Sequence, residues 1–138
     1  LIAAKSETAK AFEQHVREKI APFSDVPVIF ISALEKQRIL KVVEEAAKVF
    51  ERRKVKIPDE KLDEAMMPVI QANQPASEKG KLVEIYHMVQ IPARTPVFVF
   101  YCNLPNAIKE SYSRFLENKL RENFDFCGVP IQMDFRKK

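Results

Sequence analysis

Two side chains invite a nucleophile reading. His87 and Cys102 fall on consecutive stretches of strand-like sequence and could face each other across a hairpin, and an imidazole beside a thiol is how cysteine nucleophiles are activated. No orienting third group and no oxyanion-hole glycine accompany them, so the pattern matches a core cysteine beside a partly buried histidine. His15, His87, Cys102 and Cys127 share no metal-ligand spacing. Two glycines in 138 residues cannot build a Gly-rich phosphate loop. The sequence therefore offers no catalytic residue and no metal set. What remains is charge. Arg52-Arg53-Lys54, followed by Lys56, and the run Arg136-Lys137-Lys138 are compact basic clusters. Such clusters meet phosphate by counterion release, strongly dependent on salt and blind to base sequence. Arg114 and Arg121, seven apart, would join them only if not paired along their helix, and Glu117 stands at i,i+4 to Arg121.

The elements that must position these residues follow from periodicity. Phe12, Val16 and Ile20 recur at helical spacing, predicting a helix over 6–20 with Ser6 as its cap and Pro22 as its stop. Val26-Pro27-Val28-Ile29-Phe30-Ile31 is wholly apolar and β-branched, the pattern of a buried strand. Ser32-Ala33-Leu34-Glu35 reads as a capping box, opening a helix to about Arg53 with Ile39, Val43, Ala46 or Ala47, and Phe50 on one face. A lone apolar strand cannot satisfy its own backbone groups. Its neighbours are not in residues 1–55, and the orphan strand 26–31 is expected to support self-association by strand addition.

From Asp59 a helix should turn Leu62, Met66 and Ile70 inward, with Pro68 kinking or shortening it. After a loop closed by Lys79-Gly80, residues 81–91 alternate, with Val83, Ile85, Val89 and Ile91 on one face and Glu84, Tyr86, Met88 and Gln90 on the other. Val97–Cys102 is apolar on both faces. A helix to about Asn123 carries Ile108, Tyr112, Phe115 or Leu116, and Leu120. Gly128 ends a turn before a last strand, Val129 to Phe135. The second half reads α-β-β-α-β, a two-layer α+β domain.

Composition agrees with a folded, cytoplasmic protein. With 46% hydrophobic residues and 10 Phe, disorder and low-complexity classes are excluded. No apolar run reaches the roughly 18 residues of a membrane helix, and Lys5, Glu7 and Lys10 break any signal-peptide pattern at the start. Two cysteines do not make a disulfide framework. Lys and Arg total 23 against 19 Asp and Glu; residues 1–55 hold 11 basic and 8 acidic side chains and residues 56–138 hold 12 and 11. The excess is local to the clusters.

The run from Glu110 through Ile131, with Tyr-x-Arg-Phe-Leu-Glu-Asn-x-Leu-Arg over 112–121, resembles the closing signature of the Der (EngA) family. These are bacterial GTPases with two tandem GTP-binding domains and a C-terminal KH-like domain. Lys79-Gly80, Ile85-Tyr86, Gln90, Pro96 and Asn103 fit it too, and Val28 to Leu34 with Gln37-Arg38 resembles the last strand and fifth GTPase motif of the second GTP-binding domain. The resemblance implies a C-terminal fragment that starts just after the Asn-Lys-x-Asp motif. Residues 1–55 would be a helix-strand-helix remnant of a P-loop GTPase domain, α/β in class, and 56–138 an α-β-β-α-β KH-like domain. It implies that Ser32 and Ala33 read guanine only in the intact parent, which would bind GTP or GDP with Mg. The fragment, without phosphate loop, switches or guanine-specifying Asp, would hold no cofactor and be no enzyme. The implied function is assembly of the large ribosomal subunit, the KH-like domain docking between the upstream GTP-binding domains and onto the ribosome. The family lacks the Gly-x-x-Gly clamp of RNA-binding KH domains. Arg52, Arg53, Lys54, Arg136, Lys137 and Lys138 are the expected ribosomal RNA contacts. An autonomous KH-type RNA-binding module and a protein-interaction module are the alternatives.

Overall fold

The computed structural model describes residues 2–21, 23 and 25–138, with the side chains of 2–6 left aside. Pro22, the expected stop of the first helix, lies outside the described residues. In chain order the elements are α1 (Ile2–Ile20), α2 (Ile39–Lys54), α3 (Asp59–Ala72), β1 (Ile85–Ile91), β2 (Val97–Cys102), a 3-10 turn (Pro105–Ala107), α4 (Glu110–Asn123) and β3 (Gln132–Lys137).

Residues 59–137 form a two-layer unit. The sheet has the order β1-β2-β3, with β1 antiparallel and β3 parallel to the central β2. Both helices lie on one face. From α3, Leu62, Met66 and Ile70 meet Leu116 and Leu120 of α4, all buried, over Phe98, Phe100 and Cys102 of β2. Phe126 closes the layer edge-on to Phe98, with ring centroids 5.6 Å apart. Each fully buried Leu or Phe contributes about 1.5–3 kcal/mol, so this cluster carries most of the unit's stability. Asp59 and Glu60 stand in the first turn of α3 and Arg121 in the last turn of α4, each favourable to the helix dipole. Pro68 lies inside α3, which nevertheless runs on to Ala72. Proline removes one backbone donor, and the turns on either side are held by the buried Met66 and Ile70.

Several expectations are corrected. In β1 the register shifts between Ile85 and His87, a bulge that takes Tyr86 out of the pleat. Beyond it the faces exchange, since one extra residue inverts a period-two pattern. Met88 and Gln90 are therefore buried with Ile85, while Val89 and Ile91 turn to the other face. His87 pairs with Tyr101, stacked at 4.8 Å, and not with Cys102, whose register partner is Ile85. Burial pushes the Cys102 thiol up, opposite to what a nucleophile requires. The last strand begins at Gln132, not Val129, because Val129 is buried in the preceding turn.

In the first part of the chain, α1 already includes Ser6, so Ser6 is not its cap. Phe12 on its expected inner face is 59% exposed. Residues 26–31 belong to no strand, because among the described residues no second strand lies alongside to share their hydrogen bonds. The Ser32 hydroxyl does accept the Glu35 N–H at 3.2 Å, yet it stabilises a turn instead of opening a helix. Ser32 and Gln37 bridge across that turn, Arg38 is left-handed at φ 59°, and α2 starts only at Ile39. The face of α2 expected to be buried is largely open: Ile39, Val43 and Phe50 are exposed, and Val49 is the residue that packs against the core.

Candidate functional site

The junction between the two parts of the chain is held by polar groups that periodicity does not reveal. Gln90 of β1, 9% exposed, accepts the Ile57 N–H at 2.8 Å and donates to the Val55 carbonyl at 2.9 Å. One side-chain amide thus pairs with the linker as a neighbouring strand would. A second edge position of β1 is closed by Asp63, which accepts the Met88 N–H at 2.9 Å. Asn103, at the end of β2, accepts the Glu84 N–H and donates to the Leu82 carbonyl, aligning 82–84 ahead of the bulge.

Arg121 is the hub of the junction. Its guanidinium donates to Glu117 within α4, to the carbonyls of Phe126 and Val129, and to Asp25 at 2.6 Å. The expected intrahelical pairing with Glu117 is present, and Arg114 pairs likewise with Glu110. Cys127 donates its thiol to the Asp25 carbonyl at 3.1 Å. Gly128, at φ +74°, lets the chain pass close to the first part: a Cβ there would stand 3.0 Å from both Pro27 and Val49.

The basic residues differ in what they touch. Arg52 bonds Asp125 at 3.0 Å and the Cys127 carbonyl at 3.4 Å. The Cys127 N–H, and then Arg52, hold the Asp125 carboxyl below the usual range. Arg53 and Lys54 lie over the Phe50 ring, and Lys54 also meets Glu51. Arg136 pairs with Asp134 on its own strand. Lys138 lies over the ring of Tyr86, its Nζ 5.6 Å from the centroid, and Lys137 projects exposed beside it. The two clusters are thus separate, one at the end of α2 and one at the end of β3.

Ser32 and Ala33 sit in the 32–37 turn. The Ser32 N–H points to the Gln37 carbonyl at 3.4 Å and its Oγ receives Glu35, which leaves the N–H groups of Ala33, Leu34 and Lys36 in this turn without a partner among the described residues. Beside it, residues 26–31 and α2 wall an apolar cleft of about 640 Å³, lined by Val26, Ile29, Ile31, Val42, Val49 and Phe50 among others. Among the described residues, no group of three or more His, Cys, Asp or Glu is placed to hold a metal ion. None of their helices is long and apolar enough to cross a membrane.

An antiparallel hairpin, a helix and a third strand returning parallel to the central one, with both helices on one face, define a KH-like domain. A family model described as KH-domain-like of EngA bacterial GTPase enzymes, C-terminal, matches residues 56–136, and the chain belongs to that family. The chain is 49% identical over its whole length to a protein of Christiangramia forsetii named GTPase Der, 32% of whose length it covers. It is 52% identical over 94% of its length to GTPase Der of Bacteroides fragilis, covering 30% of that protein. It is 46% identical over its whole length to GTPase Der of Porphyromonas gingivalis, covering 32%. The chain spans about a third of the length of the curated relatives it matches.

Proposed function

We propose that this chain is the C-terminal portion of a GTP-binding protein that assembles the large ribosomal subunit, divided into 1–55, the end of a GTP-binding domain, and 56–138, a KH-like domain for docking and ribosome contact. The observation that carries this is the match of 94–100% of the chain to proteins named GTPase Der. The unpaired segment 26–31 and the apolar cleft beside it support a surface completed by upstream GTP-binding domains of the same protein. Polar bonds at Asp25, Arg52 and Gln90 support a stiff mechanical connection from that surface to the KH-like sheet. GTP-dependent packing of the upstream domains would then change how the KH-like domain is presented.

Ser32 and Ala33 would contact guanine in the parent, where GTP or GDP with Mg would bind. A single free N–H contributes on the order of 1 kcal/mol net, so this chain's residues do not by themselves suffice for a nucleotide. Arg53, Lys137 and Lys138 would contact ribosomal RNA phosphates directly, and Lys54 by leaving Glu51. Arg52 and Arg136 would do so by leaving Asp125 and Asp134. The setting would be the cytoplasm.

A second reading, a protein-interaction module, is favoured by the same unpaired segment, through which a second copy could add as a strand. Co-sedimentation with purified large ribosomal subunits tests the main reading. Binding that survives free-RNA competitor and weakens steeply with salt is expected. No binding at low salt would refute ribosome contact by this chain.

A further inference from the structure

The bulge in β1 has a consequence for binding. It leaves Tyr86 as the extra residue, unpaired with β2 and 42% exposed, while the residues on either side stay in the sheet. Bulges are devices that re-aim a side chain. Here Tyr86 forms one wall of a cleft of about 200 Å³ between the end of α3 and the start of β1. Gln71, Gln74 and Glu84 line it, with Met67 and Ile70 as its apolar floor. Neither the Gln71 nor the Gln74 side-chain amide is hydrogen-bonded to another described residue. Over the ring stands Lys138, whose backbone N–H is anchored to the Cys102 carbonyl at 3.2 Å, with the exposed Lys137 next to it.

We propose that this cleft receives one unpaired nucleobase of single-stranded RNA, stacked on Tyr86, with Lys138 and Lys137 meeting the adjoining phosphates. The inference rests on the ribosomal RNA reading and names its mode. The cleft is smaller than the about 300 Å³ at which drug-sized pockets begin and suits a single flat ring. An aromatic face, free amides and a cation match a nucleotide's π face, base edge and phosphate. Each free amide both donates and accepts, and Glu84 accepts from an exocyclic amine while turning phosphate towards the lysine side. A hydrocarbon side chain from a protein partner would strand both amides without hydrogen bonds. A duplex keeps its bases stacked within itself and cannot enter. This mode needs no Gly-x-x-Gly loop.

The test is fluorescence anisotropy with the full 138-residue chain and a short unstructured RNA, a hairpin duplex of equal length, and the single strand under rising salt. The single strand should bind better than the duplex. Tyr86→Ala should weaken it about tenfold, within the range measured for one stacked base, whereas Tyr86→Phe should stay within twofold. Lys138→Ala should reduce the salt slope by about 0.7. Equal binding of single strand and duplex, an unchanged affinity for Tyr86→Ala, or no binding of the single strand at low salt would each overturn the proposal. If Tyr86→Ala does not fold, Tyr86→Leu keeps the bulk without the π face and must show the same loss. Subunit co-sedimentation separates this from the parent reading. Subunits that bind wild type and Tyr86→Ala equally leave ribosome contact standing and remove only the base site.

Discussion

Replacing Gln90 by Met keeps the length and burial of the side chain and deletes both of its hydrogen bonds to the linker. The Ile57 N–H, now 2.8 Å from the Gln90 oxygen in a buried setting, loses its partner. A buried donor left unmade costs about 1–3 kcal/mol. The Val55 carbonyl is only part-buried, so water can replace the lost amide there at little cost. A loss of about 2 kcal/mol corresponds to roughly 30-fold at 1.4 kcal/mol per factor of ten. Native-state hydrogen exchange followed by NMR reads this directly: protection of the Ile57 amide should fall by that factor in Gln90→Met. The central-strand amide of Val99 serves as a second reporter. If Val99 loses protection equally, the linker stays docked and the whole domain is less stable. If Val99 is unchanged, residues 55–57 have come off the sheet edge alone. Unchanged protection at Ile57 would refute the idea that Gln90 holds the linker as a surrogate strand.

Three further outcomes follow from the same geometry. Gly128→Ala should cost about 2–4 kcal/mol, since a left-handed φ costs about 1–2 kcal/mol for an alanine and its Cβ would press on Pro27 and Val49 at 3.0 Å. Gly80→Ala, at a similar φ in open space, should show only the first cost. Equal urea-unfolding losses for the two would mean that the junction is not closely packed. Tyr112, whose hydroxyl donates to the Asn73 carbonyl, is pushed up to about 12 by burial, against an ordinary value near 10. Because the folded value is the higher one, its contribution to stability is complete below about pH 10 and is lost as pH rises towards 12. An ultraviolet titration should contain a phenol ionising near 12 that disappears in Tyr112→Phe, and its persistence would contradict the assignment. The isolated chain should self-associate through residues 26–31 at high micromolar concentration, and Val28→Pro should make it monomeric. A strictly monomeric wild-type mass by analytical ultracentrifugation would exclude strand addition.

The sequence determined those features whose causes are local. Leu62, Met66 and Ile70, and Leu116 and Leu120, repeat at helical spacing beside polar residues, and all five are buried. The β-branched and aromatic run Val97–Cys102, read as a strand apolar on both faces, is a strand, and it lies at the centre of the sheet. The motif around Tyr112–Arg121 carried the family.

Tertiary structure decided what depends on neighbours remote in the chain. Residues 26–31 have strand composition, but a strand needs a partner for its backbone, and none lies alongside among the described residues. The inner face of β1 turned on one bulged residue, because a period of two inverts with a single insertion. Arg52 looks like a free cation in sequence and Arg121 like half of an intrahelical pair, yet Asp125 and Asp25, 73 and 96 residues away, claim them. Tyr86 keeps the face its alternation assigns, and the bulge beside it carries Met88 and Gln90 inward. Periodicity reports the face a residue shares with its own helix or strand, whereas charge pairing, register and exposure are set by what the fold brings against that face.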